Sequence, residues 1–375
     1  MKVLHRYVSS EIVAAVLFAL VAFLALFAFF DLIGELPEVG RGGYQLQHAF
    51  MYVAMGLPGY VYELMPIAAL IGTIYALAQL AAKSEFTIMR ASGLSTWMAG
   101  WMLAKVAIVF VLITFLFGEV IAPATSKMAE RLKLQAQGAT VSQEFRSGYW
   151  TKDVIRENGL TGEPVGSRFL NVREVTPEGQ LRGVRLFEFD RDFHLTAVVT
   201  AAHADYAGAN TWRLSNVTET TFPAKAADIT TVVSTNSAGS KELISEVTPD
   251  ILSVLFADPD RMSAYGLAAY TKHLAENNLN SERYEIAFWK KLFYPLAVIV
   301  MMALALPFAY LHFRAGGVSL KIFIGIMIGV SFQLLNSLFS HLGLLNTWPP
   351  LATAVLPSAT FLLIAIGALL WVQKH

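Results

Sequence analysis

The sequence predicts an α-helical membrane protein of six transmembrane helices, with an all-β domain inserted between the third and fourth spans. Three observations lead there. Only 15% of the 375 residues are charged and 55% are hydrophobic, whereas a soluble domain carries about 25% charge. Six apolar runs are each long enough for a helix to cross the roughly 30 Å hydrocarbon core. Between the third and fourth runs, about 122–289, the pattern changes to short stretches that alternate apolar and polar residues.

The first span covers about 12–33, with no charge from Ile12 to Phe30. It ends in Phe29, Phe30 and Asp31 rather than in the small residues of a cleavage site, so it reads as an anchor that is retained. The run from Phe50 to Ala82 is interrupted by Pro58, Glu63 and Pro66 and is too long for one crossing. This places its first part at the interface and the second span at about 61–82. The third span, about 97–121, opens at Trp97 and Trp101, which suit an aromatic belt at headgroup level. The last three lie at about 290–311, 318–340 and 350–372. Lys2, Arg6, Lys83, Arg90, Arg314, Lys321 and Lys374 all fall on one side of this topology. The first loop on the other side carries Asp31, Glu35 and Glu38 instead. The positive-inside rule then puts both termini in the cytoplasm and the 122–289 segment outside.

In that segment Arg168 to Val175, Leu186 to Asp190 and Trp212 to Val217 alternate, separated by turn-prone Pro177, Glu178 and Gly179 and by Gly208 and Asn210. An antiparallel all-β domain follows for about 138–257, with room for a sandwich of about eight strands. From 258 to 289 the pattern turns helical, with Met262, Leu267, Tyr270 and Leu274 spaced for one face of an elbow. Residues 1–137 and 290–375 form the two transmembrane halves.

The composition excludes several chemistries. There is no cysteine, so a disulfide scaffold, a Cys-ligated zinc site and a thiol nucleophile are ruled out. Lys and Arg total 28 against 28 Asp and Glu, which argues against a nucleic-acid partner. No P-loop, H-E-x-x-H or G-x-S-x-G motif occurs. No catalytic residue, metal site or cofactor is therefore expected in the chain. His194 and His203 read as strand-surface residues, and the sequon at Asn216 is a pattern short enough to arise by chance. Charges in the spans sit near their ends, at Glu11, Glu63, Lys105, Glu119, Lys290, Lys291 and Lys321. An ion-coupled transporter needs a relay at mid-membrane, and none is evident.

Three segments carry a possible mechanism. Between the second and third spans, Ser84 suits an N-cap, Glu85 the first turn and Gly93 the C′ position of a short helix over 84–92. Phe86, Met89 and Arg90 share a face of it. The segment is either a capped interfacial turn or a helix presented to a motor subunit. After the third span, Lys127 and Arg131 are one helical step apart, with Lys133 nearby. These cations either hold lipid phosphates or snorkel to the interface. In the fifth span Gly325 and Gly329 form a G-x-x-x-G, followed by Gln333, Asn336, Ser337 and Ser340 on one face, for helix packing or for lining a groove.

Taken together, the chain resembles the LptF/LptG permease family of the lipopolysaccharide-export ABC transporter, and its LptG branch more than its LptF branch, from about Leu4 to Leu370. The resemblance rests on residues whose order and spacing run through the chain. They begin with Leu4 to Tyr7, Met65 to Leu70, Lys83 to Glu85, Met89 to Gly93, Gly118 with Glu119, and Ala122 with Pro123. They continue with Asp258 to Asp260, Arg283 with Tyr284, Lys291 to Phe293, Pro295 with Leu296, Met301 to Ala305, Pro349 with Pro350, and Leu356 to Ser358.

The resemblance implies a heterodimer with an LptF-like permease and an LptB-like ATPase homodimer that binds the ATP. It implies a jellyroll form for the β domain, which receives lipopolysaccharide drawn from the outer leaflet of the bacterial inner membrane and passes it to LptC and an LptA-like bridge. It places a coupling helix on 84–92, with Glu85 as the acidic contact to the ATPase among Ser84, Phe86, Met89 and Arg90. Family members can carry lysines at the outer end of the first span that reach the lipid's phosphates. Here that stretch is acidic, so Arg41, Arg131 and Lys133 are the nearest headgroup candidates. The alternative is a mechanotransmission subunit that relays ATP-driven motion without carrying lipid, a class that usually has four spans rather than six.

Overall fold

Among the described residues, the apolar runs form six helices long and apolar enough to cross a membrane. The computed structural model describes residues 2–137, 148–176, 179–222, 233–254, 259–277, 279–310, 318–346 and 348–374. Pro177, Glu178, Asp258 and Arg314 lie outside the described residues.

Helix α1 (Lys2–Glu35) buries Val8, Ile12, Val16 and Leu20, one stripe at i, i+4 spacing, and exposes Phe18, Val21, Phe29 and Phe30. The buried stripe lies on α2 (Leu46–Ala82), where a Cβ on Gly72 would come within 2.5 Å of the Val16 backbone. This glycine lets the two backbones touch.

The interfacial piece expected before residue 61 is not separate. α2 is one helix of 37 residues that runs through Pro58 and Pro66. It is enclosed by the other helices, with an almost unbroken buried run from Leu64 to Leu80. Neighbouring side chains can then serve the backbone groups that a proline frees. Tyr294 braces this turn, donating its hydroxyl to the Glu63 carbonyl at 2.6 Å, next to the Tyr62 carbonyl that Pro66 leaves without its i+4 donor.

The short helix α3 (Glu85–Ala91) leads into α4 (Thr96–Leu116). A π-helical turn, Phe117–Ile121, joins α4 to α5 (Ala122–Gln137), so this helix extends well past the expected 97–121. The fourth span is stepped, as α8 (Glu282–Phe293), α9 (Ala297–Ala305) and α10 (Pro307–Tyr310), with Pro295 and Pro307 at the steps. α11 (Val318–Asn346) and α12 (Pro350–Lys374) complete the bundle.

Among the described residues six strands follow α5: β1 (Tyr149–Asn158), β2 (Thr161–Val175), β3 (Leu181–Asp190), β4 (Leu195–Gly208), β5 (Thr211–Thr221) and β6 (Ser234–Ile244). They form one antiparallel sheet in sequence order. Among the described residues the domain has these six strands, where the segment has room for a sandwich of about eight. The described strands run 10 to 15 residues each, longer than the short alternating motifs suggest. One face carries the core, with Leu170, Val172, Val184, Leu186, Val199, Trp212, Leu214 and Val217 buried. The step from Leu214 to Val217 would reverse the face, but Asn216 between them takes a left-handed φ of 54°, which breaks the alternation while the register with β4 and β6 is kept. The Trp212 indole donates to the Val247 carbonyl at 2.7 Å.

Beyond the sheet come α6 (Pro249–Val254), a 3-10 turn at Pro259–Arg261 and α7 (Ala264–Glu276). Leu267, Tyr270 and Leu274 form the expected stripe of α7 and pack with Met262 and Ala287. The same helix buries His273, whose pKa is lowered by burial against the opposing pull of Asp153 and Glu276. The unfolded chain therefore takes up this proton first as pH falls. The stability due to neutral His273 is whole above about pH 6.5 and is lost as pH falls toward the depressed folded value. Melting of the full chain followed against pH should show a shallower acid limb in His273→Gln than in wild type. Glu246, whose pKa burial raises, acts with the opposite sign and remains in both proteins.

Candidate coupling and lipid-facing sites

At the end of the bundle away from the sheet, α3 is held between α2 and α4. Phe86 and Met89 are buried in the core cluster that includes Leu80, Leu94 and Leu306. The Phe86 ring meets Tyr310 of α10 edge-on at 5.2 Å, and the Arg90 guanidinium lies over the same ring at 4.8 Å. Arg90 thus sits at the border of the buried face and remains exposed. Gly93, with φ of 100°, ends the helix as the spacing predicted. Its N–H bonds the Arg90 carbonyl at 3.0 Å and the Leu94 N–H bonds the Met89 carbonyl at 3.1 Å, the paired closure of a Schellman motif.

The N-terminal expectation is corrected. Ser84 precedes the helix but adopts a left-handed φ of 61°, and its side chain makes no capping bond. The tight turn out of α2 aims the hydroxyl away from the free N–H groups. Glu85 instead accepts a 3.0 Å hydrogen bond from Tyr7 of α1. Ile88, which the sequence reading did not single out, is 63% exposed on the outer side of α3.

At the sheet end, the cations divide. Lys133 pairs with Glu35 at 2.8 Å and lies over the Tyr52 ring at 4.7 Å. Glu35 also accepts from the Tyr44 hydroxyl at 3.1 Å. Arg41 pairs with Glu38 at 2.7 Å on the surface, and Arg131 is exposed. The acidic residues of the first loop therefore engage two of the three headgroup candidates. Lys133 and Glu35 are 98 positions apart, which is why the pairing was not legible in sequence.

The face of α11 serves both purposes left open by its sequence. Gly325 and Gly329 pack on α2, where added Cβ atoms would come to 2.7 Å from Ile74 and 2.9 Å from Ile67. Gly329→Leu should loosen α11 from α2 and cost about 1–3 kcal/mol by overpacking; an unchanged melting temperature of the detergent-solubilised chain would contradict this. Further along, Gln333, Asn336, Ser337 and Ser340 line a cavity of about 230 Å³ opposite Glu63, Asp260, Lys290 and Lys291.

Glu63, Lys290 and Lys291, read only as scattered charges near span ends, thus meet at one place. Lys291 is buried under the Tyr62 ring at 4.5 Å and donates to the Asp260 carbonyl at 3.4 Å, while Lys290 pairs with the Asp260 carboxylate at 3.3 Å. His194 and His203 do not meet. His194 lies in the β3–β4 turn beside Asp190, and His203 lies within β4 opposite Ser215.

The arrangement has the parts of a transport subunit: six crossings, a surface helix bolted to the fourth span at one end, and a sheet at the other. Residues 6–371 match the family described as lipopolysaccharide export system permease LptF/LptG. The chain is 32% identical over 371 residues to the lipopolysaccharide export system permease protein LptG of Escherichia coli (strain K12), with 98% of each chain covered. Identity to the LptG protein of Haemophilus influenzae is 28% over 360 residues, with 96% of each covered. Match and architecture agree over nearly the whole length, and the chain belongs to the LptF/LptG family of lipopolysaccharide export permeases.

Proposed function

We propose that this permease subunit draws lipopolysaccharide from the outer leaflet of the inner membrane and hands it to its sheet domain on the periplasmic side. In this reading both termini and α3 are cytoplasmic. An LptF-like permease completes the membrane cavity, and an LptB-like ATPase homodimer supplies the energy. LptC and an LptA-like bridge receive the lipid. The observation that carries the reading is the setting of α3. Its inner face is fixed to α10 through Phe86, Arg90 and Tyr310, while Glu85 and Ile88 lie on its accessible side. A partner gripping that side would move α4, which starts a few residues later at Thr96.

The test is purification of the tagged chain from native membranes in mild detergent, with bound proteins and lipids identified by mass spectrometry. Recovery of an LptB-like ATPase, an LptF-like permease and lipopolysaccharide supports the exporter. An ATPase recovered with periplasmic proteins but without lipopolysaccharide would favour mechanotransmission instead.

Lys133 is engaged by Glu35, so exposed Arg131 is the better phosphate contact. Arg131→Glu should lower photocrosslinking of lipopolysaccharide to the cavity by about tenfold, the worth of one charge-assisted hydrogen bond. Unchanged crosslinking would remove Arg131 from the headgroup site.

A further inference from the structure

Glu119 lies in the π-helical turn between α4 and α5. Such a turn shifts the side chains that follow it relative to the preceding helix, and often marks a functional position. Here it carries the carboxylate to another element. One Glu119 oxygen accepts from the Ala264 N–H at 2.7 Å and the other from the Tyr265 N–H at 3.2 Å. Ser263 takes the next donor, the Gly266 N–H, at 3.1 Å. The start of α7 is thus held by a side chain 145 positions earlier in the chain. A carboxylate at the positive end of a helix is favoured, and two oxygens on adjacent N–H groups fix angle as well as position. The turn is also braced from below, because a Cβ on Gly118 would run into the Tyr62 ring.

The other end of α7 is tied to the sheet. Arg156 of β1 bridges Glu246 at 3.1 Å and Glu276 at 3.8 Å, and Lys152 of β1 donates to the Asn277 carbonyl at 3.2 Å. Asn277 is 1% exposed and bonds back to the His273 carbonyl at 2.9 Å. Along its side α7 packs on α8, with Tyr270 and Tyr284 rings 4.6 Å apart. A helix of 13 residues, about 20 Å long, therefore connects the third membrane helix to the first strand at two fixed ends. The membrane helix in question begins directly after α3.

We propose that α7 is a force-transmitting strut and that Glu119 is its positioning residue. Motion entering at α3 passes along α4 to Glu119, from there to the start of α7, and from its far end to β1. This rests on the exporter reading for the source of the motion. A two-ended contact carries displacement in both directions, so the sheet moves with the third span.

The absence of native cysteine allows spin labels at Trp97→Cys of α4 and Phe193→Cys of the β3–β4 turn, both exposed. In the assembled complex, the distance between them is measured nucleotide-free and vanadate-trapped, beside ATPase rate and lipopolysaccharide transfer. In Glu119→Ala the distance change collapses and transfer falls about tenfold or more, while ATPase rate stays within about twofold. Glu119→Gln keeps one acceptor oxygen and gives intermediate values, which serves if the alanine variant fails to assemble. A short bifunctional crosslink between Glu119→Cys and Tyr265→Cys restores both readouts. A wild-type distance change and transfer rate in Glu119→Ala, or complete crosslinking without recovery, overturns the strut. If wild-type complex moves no lipopolysaccharide, the exporter reading fails and the distance change alone decides the strut.

Discussion

Glu85→Arg is expected to leave the permease folded and inserted while cutting ATP-driven lipopolysaccharide transfer about 100-fold, the effect of roughly 2.7 kcal/mol at a desolvated charged contact. The structure gives two reasons for an effect on coupling rather than on folding. Glu85 lies in the first turn of a helix whose anchors are elsewhere, at Phe86 and Met89 in the core and at Arg90 over Tyr310. Its side-chain partner among the described residues, the Tyr7 hydroxyl, is an exposed contact, of a kind worth little to stability. The proposed role places a cationic groove of the ATPase against this carboxylate, and reversing the charge turns attraction into repulsion. Transfer at the wild-type rate would sink the coupling assignment. A smaller effect in Tyr7→Phe is expected, since that variant only frees Glu85 from α1.

The second large effect belongs to the sheet. Asp153 is 1% exposed and accepts from Arg168 at 3.2 Å, from the Ser245 hydroxyl at 2.7 Å and from the Glu246 N–H at 3.3 Å. Arg168 also bonds Glu188 at 2.8 Å and the Ile244 carbonyl at 3.2 Å. It thereby ties β1, β2, β3 and the end of β6 together. Arg168→Met removes the cation and leaves a buried carboxylate unpaired, a change that costs about 3–5 kcal/mol. The sheet should melt roughly 10 °C lower or more, followed by fluorescence of the buried Trp212, while the membrane helices keep their helical circular dichroism. Melting within a degree or two of wild type would mean that Asp153 finds its counter-charge elsewhere.

These two sites also mark what the sequence made legible. Helix α3 was readable because its signals are local: a polar connection between two apolar runs, and a glycine at the C-terminal position where φ is positive. The left-handed Ser84 was not, since it follows from how α2 turns into α3 in space. The six crossings were readable from apolar length. The single course of α2 through Pro58 and Pro66 was not, because a proline reads as a break unless neighbours such as Tyr294 are known to support the turn. Alternation located the strands, but their number depended on lengths that short motifs do not report. The contacts of Asp153 with Arg168 and Ser245, of Glu35 with Lys133, and of Glu119 with Ala264 join residues distant in the chain. Composition gives no hint of them. The polar face of α11 was visible as a pattern, and only the fold shows that its glycines pack while Asn336 and its neighbours face the cavity.

The most direct test of the exporter reading is ATP-dependent transfer of lipopolysaccharide. The chain is reconstituted with its LptF-like, LptB-like and LptC partners in proteoliposomes containing lipopolysaccharide, and transfer to a soluble LptA-like acceptor is followed by photocrosslinking. Transfer that requires ATP and is lost in Glu85→Arg is the predicted result. ATP hydrolysis without any transfer to the acceptor, in a complex that contains all partners and bound lipid, would contradict it.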